Sequence, residues 1–94
     1  MPVYRVLMVV TNKEAARDPE GETLAHELRK QGYSYIVSLR AGKSYIVDIE
    51  AASAEKAILL VKELASRSRL YNPVVHDLRV LLLAENSRGK VSGD

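Results

Sequence analysis

Cysteine, tryptophan and phenylalanine are all absent from this sequence, and each absence excludes a kind of chemistry. Without cysteine the chain has no disulfide framework and no thiolate nucleophile. Its aromatic residues are all tyrosines and make up 5% of the chain. No apolar run approaches the roughly 20 residues that span a bilayer, and no signal-peptide pattern opens the chain. We therefore expect a cytoplasmic protein that does not contact membranes.

The chain also lacks a large excess of either positive or negative charge. The 14 basic residues nearly balance the 12 acidic ones, and a net charge of +2 does not indicate a nucleic-acid partner. The length of 94 residues, with 47% hydrophobic and 28% charged residues, suits one small domain. We assign residues 1–83 to that domain. Residues 84–94 are polar and contain two glycines, so we predict a disordered C-terminal tail.

Two runs of alternating apolar and polar residues between Tyr33 and Glu50 predict a β-hairpin. Because side chains alternate along a strand, each run has one face that can be buried. Those faces comprise Tyr33, Tyr35, Val37 and Leu39 in the first run and Tyr45, Val47 and Ile49 in the second. Gly42 is expected to supply a positive φ in the connecting loop. Arg40 and Lys43 would then lie near the loop tip.

The remaining elements are two helices and two outer strands. Val3–Val10 and Val74–Leu83 are apolar on both faces and read as strands. Asp18 and Pro19 start a helix that Gly32 ends, and Ser53 caps a second helix. The order is β-α-β-β-α-β. It predicts an α+β fold in two layers, with a four-stranded antiparallel sheet and two helices on one face.

Two helices leave the other face of such a sheet bare. Val3, Leu7 and Val9 lie on one face of the first strand, and the last strand also has apolar residues on both faces. A large exposed apolar patch marks an interaction surface. We therefore predict a homo-oligomer, with a dimer formed through the sheet.

The sequence offers little support for catalysis by this chain. Gly42-Lys43-Ser44 matches the end of a phosphate-binding loop, but Val37 stands where the first glycine belongs. His26 and His76 have no partners at metal-ligand spacing, and a strand sends His76 and Asp77 to opposite faces. We assign no catalytic residue, cofactor or metal.

Two other classes of protein share this element order. RNA-recognition domains stack bases on exposed aromatic residues, but the third strand offers only Tyr45. Regulatory domains that bind amino acids place the ligand near a glycine-containing loop, and the first loop, 11–17, has no glycine. The regulatory module stays open as an alternative function, with RNA binding as a third choice.

Four short motifs, taken together in their order and spacing, resemble the PurS family. This family is the small subunit of phosphoribosylformylglycinamidine synthase. The motifs are D-P-E-G at 18–21, L-x-x-x-G-Y at 28–33, V-S-L-R-A-G-K at 37–43 and N-P-V-V-H-D at 72–77. The resemblance covers about residues 3 to 83, which is most of the chain.

The resemblance implies a non-catalytic subunit of an ATP- and glutamine-dependent ligase complex in purine biosynthesis. Such a subunit dimerises, in some members into tetramers, and bridges a glutaminase subunit and a synthetase subunit. It is expected to help enclose the path of ammonia between them. Residues of the motifs are then candidates for the partner interface: Asp18, Pro19, Arg40, Gly42, Lys43, Asn72 and Pro73. Two cations beside a glycine suit an acidic docking surface.

Overall fold

A computed structural model describes residues 1–86 of the chain. Within this range the fold is α+β, with two helices and a three-stranded antiparallel sheet. The elements, in chain order, are β1 (Val3–Asn12), α1 (Pro19–Lys30), β2 (Gly42–Glu50), α2 (Ala54–Arg67) and β3 (His76–Asn86). Both helices begin at the predicted caps, because the side chains of Asp18 and Ser53 accept hydrogen bonds from amides of the first turn.

Strand β1, which is apolar on both faces, lies in the middle of the sheet. The strand order is β2-β1-β3, and both neighbours run antiparallel to β1. Val6 lies opposite Val47 on one side and Leu82 on the other. The pairing of β1 with β3 shifts register between Arg5 and Val6, which is a β-bulge. The central position pairs both edges of β1, whereas its two apolar faces differ in how they are covered.

Helix α2 covers one face of this sheet. Its buried stripe consists of Ala57, Val61 and Ala65, as the spacing of its apolar residues predicts. Small residues in this stripe let the helix approach the sheet closely. The stripe packs against the buried face of β1, which comprises Tyr4, Val6 and Met8.

Helix α1 does not share this position, so the prediction of two helices on one sheet face is wrong. Within residues 1–86, α2 packs against all three strands, whereas α1 packs against none of them. Instead, α1 lies beside the segment that leads into β2. Its two buried residues are Gly21 and Ala25. The apolar stripe of α1 consists only of Leu24, Ala25 and Leu28, which offer too little surface to cover a sheet.

The first strand of the predicted hairpin is also absent, so the described sheet has three strands and not four. Residues 33–36 form a turn in which the amide of Ile36 donates to the carbonyl of Tyr33. Residues 36–41 then run past the end of β1, whose last partner on β2 is Gly42. The segment 33–40 therefore alternates in sequence like a strand, but no strand of the described chain lies beside it to form ladder hydrogen bonds.

The sheet face opposite α2 is open and partly apolar, as predicted. Leu7 lies at its centre, with Ile46 of β2 and Leu81 of β3 directly opposite on either side. Ile46 is 62% exposed and Leu81 is 53% exposed. Arg5 and Asp48 form a salt bridge on the same face, with 3.0 Å between Nε and Oδ1. We call the row Ile46, Leu7 and Leu81 the open-face row.

Strand β3 continues to Asn86, past the predicted end of the domain at residue 83. The rest of the predicted tail, 87–94, lies outside the described residues. No helix within 1–86 is long and apolar enough to cross a bilayer.

Candidate partner interface

Asp18 joins the start of α1 to the start of β2. Its Oδ1 accepts from the amide of Gly21 at 3.1 Å, and its Oδ2 accepts from the amide of Ala41 at 2.7 Å. The residue is only 5% exposed. The amides of Ala41 and Gly21 and the charge of Arg40 lower the pKa of Asp18, against the opposing effect of burial. Asp18 is therefore a buried ionised link, which the sequence indicated only as a helix cap.

Gly21 and Pro19 fit the same junction in different ways. A Cβ at Gly21 would lie 2.4 Å from Oδ2 of Asp18 and 2.6 Å from the carbonyl oxygen of Leu39, so only glycine fits. Pro19 occupies the first helical position, where its missing amide costs no hydrogen bond. Pro19 is exposed and Gly21 is buried. Of the two, Pro19 is the residue that a partner can touch.

Sequence analysis placed Arg40 near a hairpin tip, and this prediction is wrong. Its Nη2 donates to the backbone carbonyl oxygens of Asn12 and, at 2.8 Å, of Lys13. These carbonyls belong to the last residue of β1 and to the residue after it, so the guanidinium closes the start of the connection between β1 and α1. A planar side chain with several donors suits two neighbouring carbonyls. Although exposed, Arg40 already has a structural task.

Gly42 is required because β2 passes close to the backbone of β1 at this position. The expectation that Gly42 has a positive φ is wrong. The glycine with a positive φ among the described residues is Gly32, at φ 107°, directly after α1. A Cβ at Gly42 would lie 2.4 Å from the carbonyl oxygen of Val10 and 2.8 Å from Cγ2 of Thr11. The absence of a side chain thus lets β2 begin against β1.

Lys43 follows Gly42 as the second residue of β2. It is exposed, and within residues 1–86 its ammonium group makes no hydrogen bond or ion pair. Of the two cations that the sequence placed together, Lys43 is therefore the one whose charge is available to a partner.

Asn72 and Pro73 form the turn before β3, and His76 closes it. Oδ1 of Asn72 accepts from the amide of Val74 at 2.9 Å, and its carbonyl accepts from the amide of His76 at 2.8 Å. The amide of Asn72 in turn donates to Nδ1 of His76 at 3.0 Å. Because Nδ1 accepts, the imidazole proton of neutral His76 is on Nε2. Sequence analysis placed His76 at a strand start but missed this role, for which its spacing from Asn72 is the only signal.

These residues converge at one end of the sheet, where β1 ends and β2 and β3 begin. Thr11 lies opposite Gly42, and Asn12 lies opposite His76. A cavity of about 230 Å³ opens there and is lined in part by Asp18, Gly42, Lys43 and His76. Asn72 and Pro73 border an adjacent cleft that also includes His76. We call this surface the sheet-end surface.

Most polar groups of the sheet-end surface are engaged by the backbone of this chain. Residues 1–86 hold no group of three or more His, Asp or Glu side chains placed to bind a metal ion. The side chains of Asp18 and His76 accept hydrogen bonds from backbone amides of this chain. Lys43 remains as an uncommitted cation beside exposed turn residues.

Comparison with known proteins identifies the family. A model of the PurS family, phosphoribosylformylglycinamidine (FGAM) synthase, matches residues 5–84. The chain is 38% identical over 80 residues to the phosphoribosylformylglycinamidine synthase subunit PurS of Thermotoga maritima, which covers 85% of this chain and 96% of that protein. It is 32% identical to the Bacillus subtilis subunit PurS, over 82% of this chain and 89% of the relative.

Solved structures agree with this match. One chain of the PurLQS structure from Thermotoga maritima superposes with a TM-score of 0.77 and 36% identity, over 88% of this chain and all of that chain. The PurS structure from B. subtilis superposes with a TM-score of 0.68 and 32% identity, over 86% of this chain and 99% of that one. By its matched length and by its fold, this chain belongs to the PurS family of phosphoribosylformylglycinamidine (FGAM) synthase.

Proposed function

We propose that this chain is the non-catalytic small subunit of the phosphoribosylformylglycinamidine synthase complex in de novo purine biosynthesis. In this role it acts in the cytoplasm and bridges the glutaminase and ATP-dependent synthetase subunits. It supports the transfer of ammonia between them and holds no cofactor of its own.

The observation that carries this proposal is the match along nearly the whole domain. The family match extends from residue 5 to residue 84, and the similar chain in the PurLQS structure is covered over its full length. A shared short motif would support only a shared local structure, whereas this match includes all five described elements. It favours the scaffold function over the amino-acid-binding and RNA-binding alternatives.

Two surfaces are available for the bridging role. The sheet-end surface offers Lys43, Pro19, Asn72 and Pro73 in exposed positions. The open-face row offers apolar side chains on a sheet face that α2 leaves bare. Self-association through the sheet, to a dimer or a tetramer, belongs to the same proposal, because it buries apolar surface that a domain of this size cannot cover alone.

Reconstitution tests the function. The two larger subunits are assayed with and without this chain, using either glutamine or an ammonium salt as the nitrogen donor. We expect the chain to be required for glutamine-dependent formation of the amidine and to matter much less when ammonia is supplied. Full glutamine-dependent activity in its absence contradicts the proposal.

Lys43 tests the docking surface. We expect Lys43→Glu to weaken binding to the larger subunits severalfold, because exposed ion pairs contribute up to about 1 kcal/mol and a reversed charge repels an acidic partner. Lys56→Glu, on the exposed first turn of α2, is the matched control. Equal affinities of the two variants would remove Lys43 from the interface. Arg40 is unsuitable for this test because its reversal also opens the connection after β1.

A further inference from the structure

Two clefts share the side chains of Tyr71 and His76, next to the turn that leads into β3. The first has a volume of about 360 Å³ and is bordered by Lys13 and Lys62. The second has a volume of about 450 Å³ and is bordered by Arg69. We call these the His76 clefts, and we call Lys13, Lys62 and Arg69 the cleft cations. Both volumes fall within the range of ligand pockets, about 300–1,000 Å³.

The imidazole of His76 brings a fixed donor to both clefts. Its Nδ1 accepts from the amide of Asn72 at 3.0 Å, which leaves the proton of the neutral ring on Nε2. Within residues 1–86 this Nε2–H group has no hydrogen-bond partner. The amide of Lys13 donates to the carbonyl of Val75 at 2.9 Å and so ties the turn to the end of β1. The donor is therefore held in place before a ligand arrives.

Arg69 adopts an unfavourable backbone conformation beside the second cleft. Its φ is 63°, the one positive φ among the non-glycine residues of 1–86. It follows Ser68, the C-cap of α2, at a position where a left-handed residue is usually glycine. Glycine would avoid the steric cost of a Cβ there. The end of α2 therefore does not require an arginine, and the guanidinium is available for another role.

Positive charge exceeds negative charge in the His76 clefts. Within residues 1–86 the side chains of the cleft cations form no hydrogen bond or ion pair. Among the described residues, Asp77 is the one acidic residue that borders either cleft. The C-terminal end of α2 adds a partial negative charge of about half a unit. The three cations outweigh both, so the clefts favour an anion. The cavity on the side of β2 differs, because it includes the carboxylates of Asp18 and Glu20.

We propose that the His76 clefts bind a small molecule that carries a phosphate group. A phosphate monoester has three acceptor oxygens and about 1.5 to 2 negative charges near pH 7. It can accept from Nε2–H of His76 while the cleft cations neutralise its charge. A carboxylate has one charge and two oxygens, and suits separate donors less well. Tyr71 and Pro73 offer surface to the organic part of the molecule. This site is additional to the scaffold function and does not depend on it.

Calorimetric titration of the purified full chain with ribose 5-phosphate tests the site. This probe carries the phosphoribosyl group of the compound in the family's name, and ribose is the uncharged control. We expect ribose 5-phosphate to bind and ribose to give no binding heat. Inorganic phosphate should compete with the ester, because the phosphate group makes the contacts. Absence of binding by ribose 5-phosphate overturns the proposal.

Arg69→Gly separates a ligand-binding arginine from a structural one. We expect this variant to weaken binding of ribose 5-phosphate at least about tenfold, because a hydrogen bond from a charged group is lost. Its thermal stability should be equal or higher, because glycine accepts the positive φ. Arg67→Ala is the matched control: it removes the same charge from the last residue of α2, outside the clefts. Equal losses of affinity in the two variants overturn the proposal.

Nuclear magnetic resonance of the imidazole nitrogens gives an independent answer. The chain has two histidines, and His26 on α1 is an internal control for His76. We expect ribose 5-phosphate to shift the Nε2 resonance of His76 and to leave both resonances of His26 unchanged. No shift at His76, or shifts of equal size at both rings, overturn the proposal.

A hexaglutamate peptide distinguishes a small phosphate ligand from an acidic protein surface. We expect ribose 5-phosphate to remain bound when an equimolar amount of the peptide is added. Displacement by the peptide assigns the cleft cations to protein docking and overturns the proposal. Glutamine-dependent activity of the reconstituted complex is a separate measurement, so the scaffold function can fail or hold whatever the result for the phosphate site.

Discussion

At the scale of single residues, the junction of α1 and β2 depends on one carboxylate and one glycine. Gly21→Ala adds a methyl group within 2.6 Å of the carbonyl oxygen of Leu39 and 3.0 Å of the amide nitrogen of Ala41. Backbone atoms cannot move aside as a flexible side chain can. We expect a net loss of about 1–2 kcal/mol in the free energy of unfolding, because overpacking outweighs the helix propensity that alanine gains.

Urea denaturation measures this loss. Thr23→Ala is the control, since it changes an exposed residue of the same helix turn and we expect an effect within about 0.5 kcal/mol. A Gly21→Ala protein as stable as the control would show that the junction is loosely packed.

Asp18 gives the protein a specific dependence on acid. Its pKa is lowered in the folded state from the ordinary value of an aspartate, so the unfolded state binds the proton more readily. Its contribution to stability is therefore present above the pKa of the unfolded state and is lost as the pH falls through that value towards the lower folded pKa. We expect Asp18→Asn to destabilise the protein at neutral pH and to reduce the loss of stability on acidification.

Thermal unfolding at a series of pH values between about 2 and 7 measures that effect. Asp77→Asn, which neutralises an exposed carboxylate at the start of β3, provides the comparison. Unchanged acid sensitivity in Asp18→Asn would mean that other carboxylates, such as Asp48 paired with Arg5, account for it.

At the scale of elements, Arg40 and Lys43, the cations before and after Gly42, have different structural roles. Arg40→Ala removes the donor that joins the two carbonyls at the end of β1, those of Asn12 and Lys13. We expect it to cost about 1–2 kcal/mol in the free energy of unfolding, as hydrogen bonds from charged groups do. Lys43→Ala touches no partner within the described chain, and we expect a change within about 0.5 kcal/mol. Chemical denaturation of the two variants side by side decides this, and equal losses would contradict the division.

Local signals predicted most of the elements, and the contacts between distant segments were not predictable. Caps at Asp18 and Ser53 fixed both helix starts, because a cap acts within its own first turn. The second hydrogen bond of Asp18 joins residues 23 positions apart, and no periodicity reports such a contact. Alternation between Tyr33 and Arg40 predicted a strand, yet a strand also needs a neighbour at the right height, and β1 ends too early.

At the scale of the whole molecule, an unequal covering of the sheet is the main property, and it was predictable. Alternation in β1 showed apolar residues on both faces, and α2 alone covers one of them. The position of α1 was not predictable, because its thin apolar stripe allowed either a place on the sheet or one beside residues 36–41. Of the predicted interface residues, Asp18 and Gly42 turned out to have structural reasons for their identity.

Two equally exposed residues on opposite sides of the molecule test the open face. Ile46 of the open-face row is 62% exposed, and Leu59 on the outer side of α2 is 61% exposed. Because only the sheet face is expected to be covered in the complex, Ile46→Ser should weaken association with the larger subunits, while Leu59→Ser should not. Pull-down with purified subunits measures both. Equal retention of the two variants would show that the open face stays in water.

The carboxylate of Asp18 also has a consequence for how the molecule opens. One side chain is the acceptor for two amides that belong to different parts of the chain, Gly21 at the beginning of a helix and Ala41 just before a strand. If either part opens, the carboxylate of Asp18 loses one of its two hydrogen bonds or moves away from the other amide. The two amides should therefore be released together in a single event, with the same opening free energy in native-state exchange, although they are far apart in sequence.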